Sequence, residues 1–453
     1  MEKIGKYRWT ICGLLFFATT VNYLDRQVLS LLQPYLSDPK MFNWSNTDYA
    51  NITAVFQFVY AFSMLFAGRI IDKLGTKKGY ALAIIIWSLA AMMHAWAIPI
   101  GQGISTALGW AGIAGFSVSV LGFMFSRAAL AFGEAGNFPA AIKATAEYFP
   151  KKERSFATGI FNSGSNVGAI LAPLTVPWIR INWGWEAAFI IMGLIGFIWL
   201  ILWLVLYERP EKQKRLSATE LAYINSEEDT SPVTEETKEK VSWPKLFGYR
   251  QTWAFVCGKF FTDGVWWFFL FWLPAYLKVQ YGIVDKAVML PLALLYTMSM
   301  VGSIGGGYFP MYFIKKGYKA YDGRLRAMFV IALFPLVILA AQPLGQYSYW
   351  LPVILIGIGA AAHQAWSANI FTTVSDMFPK KAIGSVVGIG GMAGGLGGVV
   401  MSKLGGALFD HYKVLGHIET GYTIMFAICA FSYLFAWAVV KTLVPKYKPI
   451  SDL

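Results

Sequence analysis

The sequence is poor in charged residues and in cysteine. Charged residues make up 14% of the 453 residues, whereas soluble domains carry about 25%, so the chain lacks the charge that covers a soluble surface. Its three cysteines, Cys12, Cys257 and Cys429, lie in apolar stretches and provide neither a disulfide framework nor metal-ligand spacing. We therefore expect no metal site and no cofactor, and no nucleophile-base set indicates an enzyme.

Apolar runs dominate what is present. Hydrophobic residues make up 57% of the chain, and they fall into twelve runs near the roughly 20 residues that cross a bilayer as a helix. The runs cover residues 9–32, 49–71, 80–98, 117–138, 157–178, 187–206, 252–277, 287–313, 326–341, 350–371, 384–409 and 422–441. Residues 99–115, rich in Gly and Ala, are expected to connect the third and fourth runs. The sequence predicts an all-α membrane protein with twelve transmembrane helices in a lipid bilayer.

The formal net charge of +13 is a topology signal and does not indicate nucleic-acid binding. If both termini lie in the cytoplasm, the segments on the far side of the membrane contain few basic residues, namely Lys40, Arg180, Lys278, Lys286 and Lys413. Most of the 38 Lys and Arg residues then lie in cytoplasmic segments, in agreement with the positive-inside rule.

A long polar segment divides the runs into two sets of six. Residues 208–250 contain the stretch SEEDTSPVTEETKEK, which is typical of a partly disordered cytoplasmic linker, and a helix is expected near residues 217–225. Phe-Pro-Lys-Lys occurs at 149–152 and again at 378–381, each time before a glycine-rich run. This repeat predicts two pseudo-symmetric six-helix bundles, residues 1–207 and 251–453, on either side of the linker.

Four charged residues of the first half lie within apolar runs, Asp25 and Arg26 in one run and Arg127 and Glu134 in another. A charge at the bilayer centre costs roughly 2.5–3.5 kcal/mol, and such residues mark functional sites by default. On an ideal helix Arg127 and Glu134 share a face but differ by about 10.5 Å in height. Each therefore needs a partner on another helix or a ligand. An interhelical ion pair would meet that need, and so would a site that binds the substrate or protons.

Neutral polar and aromatic side chains recur in other runs, and each has a structural and a functional interpretation. Asn162 and Ser165 lie among glycines, where they either bond neighbouring helices or provide hydrogen bonds to a sugar. Tyr60 either packs at an interface or faces a cavity. Lys259 and Asp263 are four residues apart, the spacing of an intrahelical ion pair.

The second half adds its own candidates for substrate contacts, which are Trp266, His363, Gln364 and Asn369. Trp266 lies inside its run and not at an end, so an interfacial belt does not explain it and a stacking surface for a sugar ring does. A lone buried histidine more often forms a hydrogen bond to a neighbour than takes part in function. The other polar residues in the same run nevertheless favour a role in binding for His363.

Several motifs resemble those of the major facilitator superfamily. The turn GRIIDKLGTKK after the second run resembles the signature loop of that superfamily, here with Gly68, Asp72, Lys73 and Gly75. NYLDRQ at 22–27 and SRAALAFGEAGNFPAA at 126–141 are similar to the anion:cation symporter family. KFFTDGVWWFFLFWLPAYL and HQAWSANIFTTVSDMFPKKAIGSVVG resemble its bacterial hexuronate-transporter branch.

The resemblance implies a secondary transporter of the cell (inner) membrane that takes up a monoanionic sugar acid with protons by alternating access. It implies that Asp25 and Glu134 carry protons and that Arg26 holds the substrate carboxylate. Tyr60 matches a substrate contact and Arg127 an arginine important for transport. The signature loop gates the conformational change. We expect a monomer with cytoplasmic termini.

The chain departs from some members of that family. Ser165 stands where some of them have a glutamine, and Gly394-Gly395 stands where some have an asparagine. His363, Gln364 and Asn369 are our candidates to replace the missing sugar contacts.

Two other functions fit parts of the pattern. An organic-anion or phosphate-ester exchanger would share the fold, but such a site needs more cationic charge than the neutral set Asp25, Arg26, Arg127 and Glu134 provides. A non-transporting membrane sensor would carry a folded signalling domain, whereas the longest soluble stretch is the charged linker.

Overall fold

Helices make up the architecture. The computed structural model describes residues 5–112, 115, 117–227 and 242–450, and these residues form no β-strand. The α-helices are α1 (Tyr7–Leu36), α2 (Asn46–Leu74), α3 (Thr76–Met93), α4 (Ala97–Trp110), α5 (Val118–Glu134), α6 (Asn137–Tyr148), α7 (Lys151–Trp183), α8 (Trp185–Leu206), α9 (Ala218–Ile224), α10 (Trp243–Phe247), α11 (Arg250–Tyr281), α12 (Met289–Lys315), α13 (Ala320–Leu333), α14 (Ala341–Gly345), α15 (Trp350–Met377), α16 (Lys380–Val414) and α17 (Ile418–Leu443).

Twelve long helical segments lie in the described part of the chain. Ten of them are long and apolar enough to cross a membrane by length and composition. The other two are α1, with 30 residues, and α7, with 33 residues. These two are more polar, because α1 contains Asp25 and Arg26 and α7 contains a cluster of Asn and Ser. The predicted all-α membrane fold is confirmed.

The third span is longer than the sequence predicts. The expectation of a connecting segment at 99–115 is wrong, because α4 continues to Trp110 and a single span covers Thr76–Trp110. Pro99 lies in the first turn of α4, where a helix tolerates proline. A Cβ atom at Gly101 would lie 1.9 Å from the Val118 carbonyl oxygen, so this glycine allows α4 and α5 to touch.

The ninth span is also longer than predicted. It covers Tyr321–Gly345 and not residues 326–341. The charged residues Asp322, Arg324 and Arg326 lie in the first two turns of α13, which hides the start of the helix from a hydropathy pattern. Arg324 forms an ion pair with Asp376 of α15, and this pairing accommodates one of those charges.

The repeated Phe-Pro-Lys-Lys motif has the same backbone structure in both places. Phe149 and Phe378 each donate their backbone N–H to a carbonyl four residues earlier, at 3.0 Å. Pro150 and Pro379 follow with φ of −61° and −63°, and each precedes the first residue of a long helix, α7 or α16. Equal geometry at equivalent places supports the predicted internal repeat.

Contacts divide the chain into two units, which differ from the predicted bundles. The first unit contains the residues up to Leu29 and those from Phe62 to the central linker. The second contains Ser30–Ala61 and the rest of the chain. Within it, the Tyr49 hydroxyl donates to the Phe271 carbonyl at 2.7 Å. The boundaries at residues 207 and 251 stay a prediction.

The start of the linker is a folded part of the first unit. The helix predicted near 217–225 is confirmed as α9, and the Ser217 hydroxyl caps it by accepting from the Glu220 N–H at 3.1 Å. The buried Glu220 carboxylate accepts from the backbone N–H groups of Tyr7 and Arg8, both at 3.1 Å, and so caps α1. Residues 228–241, predicted to be disordered, lie outside the described residues.

Close packing of α4 and α5 gives a testable expectation. A Cβ at Gly122 would lie 1.7 Å from the Ala97 carbonyl oxygen, a backbone atom that cannot rotate away. We expect Gly122→Val to destabilise the protein by about 3 kcal/mol, since overpacking forces backbone shifts. Thermal unfolding in detergent measures this. Gly103→Val is the matched control, because no atom lies within 4 Å of a Cβ there. Equal melting temperatures for the two variants would contradict the packing argument.

Candidate functional site

An ion pair between α1 and α5 forms the centre of the candidate site. The Glu134 Oε2 atom accepts from Arg26 Nε at 2.9 Å and from Arg26 Nη2 at 2.8 Å. The Arg26 and Glu134 side chains are 4% and 0% exposed. Arg26 Nη2 also contacts Asn22 Oδ1 at 3.4 Å, and the guanidinium lies 4.8 Å from the Tyr23 ring centre. The arginine is thus held in place from three directions.

Asp25 and Arg127 complete this charged cluster in the first unit. Arg127 is fully buried, and its Nη2 atom donates to the Arg26 carbonyl at 3.1 Å. Asp25 is buried near both Arg127 and Glu134, and neither of its carboxylate oxygens has a hydrogen-bond partner among the described residues. As predicted, Arg127 and Glu134 do not pair with each other but each contacts α1. The four charges sum to zero.

The chain around Glu134 is positioned by small residues. Glu134 is the last residue of α5, and a single tight turn at Ala135–Gly136 separates it from α6. A Cβ at Gly133 would lie 2.5 Å from the Trp87 backbone nitrogen, so α3 and α5 are in backbone contact next to the acid. The Tyr80 hydroxyl donates to Asn137 Oδ1 at 2.6 Å and holds the first residue of α6.

The small and polar residues of α7 differ from one another in their surroundings. Gly164 and Gly168 face α1, because Cβ atoms there would lie 2.4 Å from the carbonyl oxygens of Phe16 and Thr20. Ser165 is buried and donates to the Asn162 carbonyl at 2.7 Å, within its own helix. Asn162 is exposed. The Ser165 hydroxyl therefore already has an acceptor, and Asn162 is the more accessible of these two predicted contacts.

The aromatic candidates lie in the second unit. Tyr60 is 8% exposed and stands edge-on to Trp267, with ring centres 6.1 Å apart. Trp266 stacks on the His363 ring at 5.1 Å with an angle of 7° between the planes. His363 Nδ1 lies 2.9 Å from the Tyr433 hydroxyl. Trp266 and His363, which the sequence places 97 residues apart, thus form one stack.

The two amides of α15 have different surroundings. Asn369 is buried, and its Nδ2 atom donates to the carbonyls of Gly306 at 2.9 Å and Ala365 at 2.8 Å. Both of its donor hydrogens are therefore used, one to join α15 to α12 and the other within α15 itself. Gln364 is only half-buried. Of the two, Gln364 is the one whose surroundings suit a ligand contact.

A second buried ion pair lies within α11. Lys259 Nζ is 2.6 Å from Asp263 Oδ2, and the side chains are 6% and 17% exposed. The ammonium lies 4.3 Å from the centre of the Phe371 ring. A Cβ at Gly394 would lie 2.3 Å from the Asp263 carboxylate, so this glycine leaves room for the acid. The predicted intrahelical pair is confirmed.

An exposed ion pair connects the signature loop between α2 and α3 to α6. Asp72 pairs with Lys143 of α6 at 2.9 Å, and Lys73 is exposed. Gly75 has φ +79°, a conformation that disfavours any side chain, while Gly68 has open space around its Cα. Sequence reasoning missed the partner of Lys77, which belongs to the next turn. The hydrogen bond from Lys77 at 2.9 Å lowers the pKa of Glu208, which follows α8.

His94 is another residue that sequence reasoning missed. It is completely buried in a short 3-10 turn, where its Nδ1 atom contacts the Ala90 carbonyl at 2.8 Å and its ring stacks on Phe189 at 4.7 Å. A lone histidine in an apolar run was the available signal. These contacts account for it as a core residue.

Comparisons with known proteins identify the family of the chain. The profile of the Major Facilitator Superfamily matches residues 15–402. The chain is 30% identical to the hexuronate transporter of Escherichia coli K12, over 98% of this chain and 95% of that protein. It is 31% identical to the galacturonate transporter of Dickeya chrysanthemi, over 80% of this chain and 97% of that protein.

A solved structure supports the fold. The crystal structure of a D-xylose-proton symporter matches with a TM-score of 0.73 at 15% identity, over 97% of this chain and 98% of that one. At this identity the likeness concerns the arrangement of the helices alone.

The buried pair Arg26–Glu134 gives a stability prediction. Glu134→Gln leaves the guanidinium charge buried without its counter-charge, so we expect a loss of about 3 kcal/mol. In the double variant Arg26→Gln/Glu134→Gln both charges are gone, and we expect part of this loss to be recovered. Thermal unfolding in detergent compares the variants.

The control for this experiment is Asp72→Asn. The Asp72 side chain is 62% exposed, and exposed ion pairs contribute about 0–1 kcal/mol. If the double variant is no more stable than Glu134→Gln, the two residues do not act as a pair.

Proposed function

Because the chain belongs to the major facilitator superfamily and is a multi-pass membrane transporter, not an enzyme, we propose that it takes up a monoanionic sugar acid, such as a hexuronate, together with protons. The observation that carries the proposal is the buried ion pair of Arg26 and Glu134. A guanidinium is well suited to bind a carboxylate, and here Nε and Nη2 of Arg26 both donate to one oxygen of a carboxylate of the protein itself, Glu134 Oε2. The hexuronate and galacturonate transporters among the relatives indicate the class of substrate.

In this mechanism the substrate carboxylate replaces the Glu134 carboxylate at Arg26, and this replacement couples proton binding to substrate binding. When Glu134 binds a proton, it loses the charge that holds Arg26, and the guanidinium becomes available to the substrate carboxylate. Arg26 is held by Asn22 and lies beside Tyr23, so it keeps its orientation during the exchange. Arg127 donates to the α1 backbone at Arg26 and fixes the height of the cluster.

Asp25 is the second proton-binding group. Its oxygens have no hydrogen-bond partner in the described part of the chain, and burial disfavours an unpaired charge. A proton on Asp25 removes that cost. If two protons accompany one monoanion, one net positive charge enters the cell, and each such charge gains about 2.3 kcal/mol per 100 mV of membrane potential.

The neutral part of the sugar is recognised by hydroxyl, amide and aromatic groups. In the first unit these are Asn162 and Ser165, and in the second Tyr60, Trp266, His363 and Gln364. The amide donors of Asn369 are used by backbone carbonyls, so we assign this residue to helix packing. Stacking of His363 on Trp266 holds both rings in one orientation. The sugar contacts the edge of this stack.

The protein transports its substrate through the conformational change of alternating access, and it works as a monomer in the inner membrane with both termini in the cytoplasm. The loop with Gly68, Asp72, Lys73 and Gly75 gates this movement. Its ion pair from Asp72 to Lys143 is exposed and therefore breaks at little cost.

Transport into proteoliposomes tests the function. With an imposed pH gradient, we expect labelled glucuronate or galacturonate to accumulate and the external medium to become more alkaline. Glu134→Gln is expected to abolish accumulation driven by the gradient while substrate exchange without a gradient continues, because the variant mimics the protonated carboxyl permanently. Asp25→Asn is expected to lower the number of protons moved per substrate.

The matched control is Glu419→Gln, a change of the same kind at an exposed side chain that lies far along the sequence from the charged cluster. We expect it to transport like the unmodified protein. Loss of both accumulation and exchange in Glu134→Gln would refute the exchange of carboxylates. Failure of the unmodified protein to transport any hexuronate or galactonate would refute the class of substrate.

A further inference from the structure

A basic cavity of about 930 Å³ lies in the second unit. It is formed by the end of α12, the start of α13, the end of α17 and the chain that follows α17. Its charged lining consists of Lys319, Asp322, Arg326, Lys441 and Lys446. None of these residues belongs to the proposed transport site.

The charge of this cavity is unbalanced. Four cations face a single carboxylate, and none of the four forms an ion pair with a carboxylate in the described ranges. The neighbouring Arg324 shows the contrast, because it pairs with Asp376 and does not line the cavity. Like charges gathered around a cavity repel one another, so an anion that enters it is bound favourably.

The wall of the cavity is aromatic. Phe329 and Trp437 pack with ring centres 4.6 Å apart, and Trp437 Nε1 donates to the Leu325 carbonyl at 2.9 Å. The Arg326 guanidinium lies 4.2 Å from the centre of the Tyr318 ring. Aromatic rings near the ends of membrane helices are typical of the level of the lipid headgroups. A ligand in this cavity would therefore contact both charged groups and an apolar surface.

The chain after α17 forms a fixed side of the cavity. The Tyr321 hydroxyl donates to the Val444 carbonyl at 2.7 Å, and Lys441 Nζ donates to the Pro445 carbonyl at 2.9 Å. Further along, Gln251 donates to the Lys448 carbonyl at 2.9 Å. These bonds tie the segment to α13, α17 and α11, so Lys446 is presented by an ordered segment.

We propose that this cavity binds the phosphate headgroup of an anionic phospholipid. Lys319, Arg326, Lys441 and Lys446 surround the phosphate, and the glycerol and the start of the acyl chains lie against Phe329 and Trp437. Basic pockets between membrane helices on the cytoplasmic side suit acidic headgroups. The site rests on the proposed orientation, which places the ends of α12 and α17 in the cytoplasm, and it does not depend on the identity of the transported substrate.

Native mass spectrometry of the purified full-length protein in detergent tests the proposal. Phosphatidylglycerol and phosphatidylcholine with the same acyl chains are compared as probes, without any transport substrate. We expect preferential binding of phosphatidylglycerol. Arg326→Gln/Lys446→Gln should weaken its binding roughly 30-fold, since two cations near the phosphate are removed. Arg326→Lys/Lys446→Arg should keep most of the binding, because both charges remain.

The matched control is Lys286→Gln/Lys413→Gln, which removes two exposed cations elsewhere in the same unit. We expect unchanged lipid binding. Equal loss in both double variants, or equal binding of the two lipids, would overturn the site. Displacement of phosphatidylglycerol by an equimolar amount of inorganic phosphate would assign the cavity to a soluble anion and would also overturn the proposal. Size-exclusion profiles establish that each variant is folded, so an unfolded variant is not read as lost binding.

Discussion

The requirement that a buried charge meet an opposite charge governs the first half of this transporter. Arg26 and Glu134 are almost completely buried, and an unpaired charge at that depth would cost several kcal/mol. Their pairing joins α1 to α5 at the point where α5 ends. Arg127 then reaches the same place on α1 through a backbone carbonyl. The cluster is neutral as a whole, because two carboxylates and two guanidinium groups lie together.

Close helix contacts allow this arrangement. Gly133 brings α5 against the backbone of Trp87, next to Glu134. Gly164 and Gly168 bring α7 against α1 at Phe16 and Thr20, about one to three turns before Asp25 and Arg26 along that helix. Helices in a bilayer associate without a hydrophobic driving force between them, and small residues replace it with close packing. The glycines therefore determine how closely the helices that carry the charged residues approach one another.

The second half uses polar residues in another way. His363, Tyr433 and Trp266 contact one another, and Asn369 bonds to backbone carbonyls of α12 and α15. Lys259 and Asp263 pair within one helix. These groups therefore form their hydrogen bonds and ion pairs with near neighbours in the same unit. None of these residues lines the basic cavity beside Arg326.

The sequence by itself determined the all-helical membrane fold, because twelve apolar runs of bilayer length admit no other structure for the backbone. It also identified Asp25, Arg26, Arg127 and Glu134, since charge within an apolar run is rare and conspicuous. Tertiary structure alone decided which of these residues pair, because Arg26 and Glu134 are 108 residues apart and no spacing rule connects them. It also decided that 99–110 is helical, since backbone contact between α4 and α5 uses glycines that a sequence pattern assigns to a loop. The hydrogen-bond partners of Asn369 were decided in the same way, because an amide that bonds a neighbouring helix has the same local sequence as one that does not.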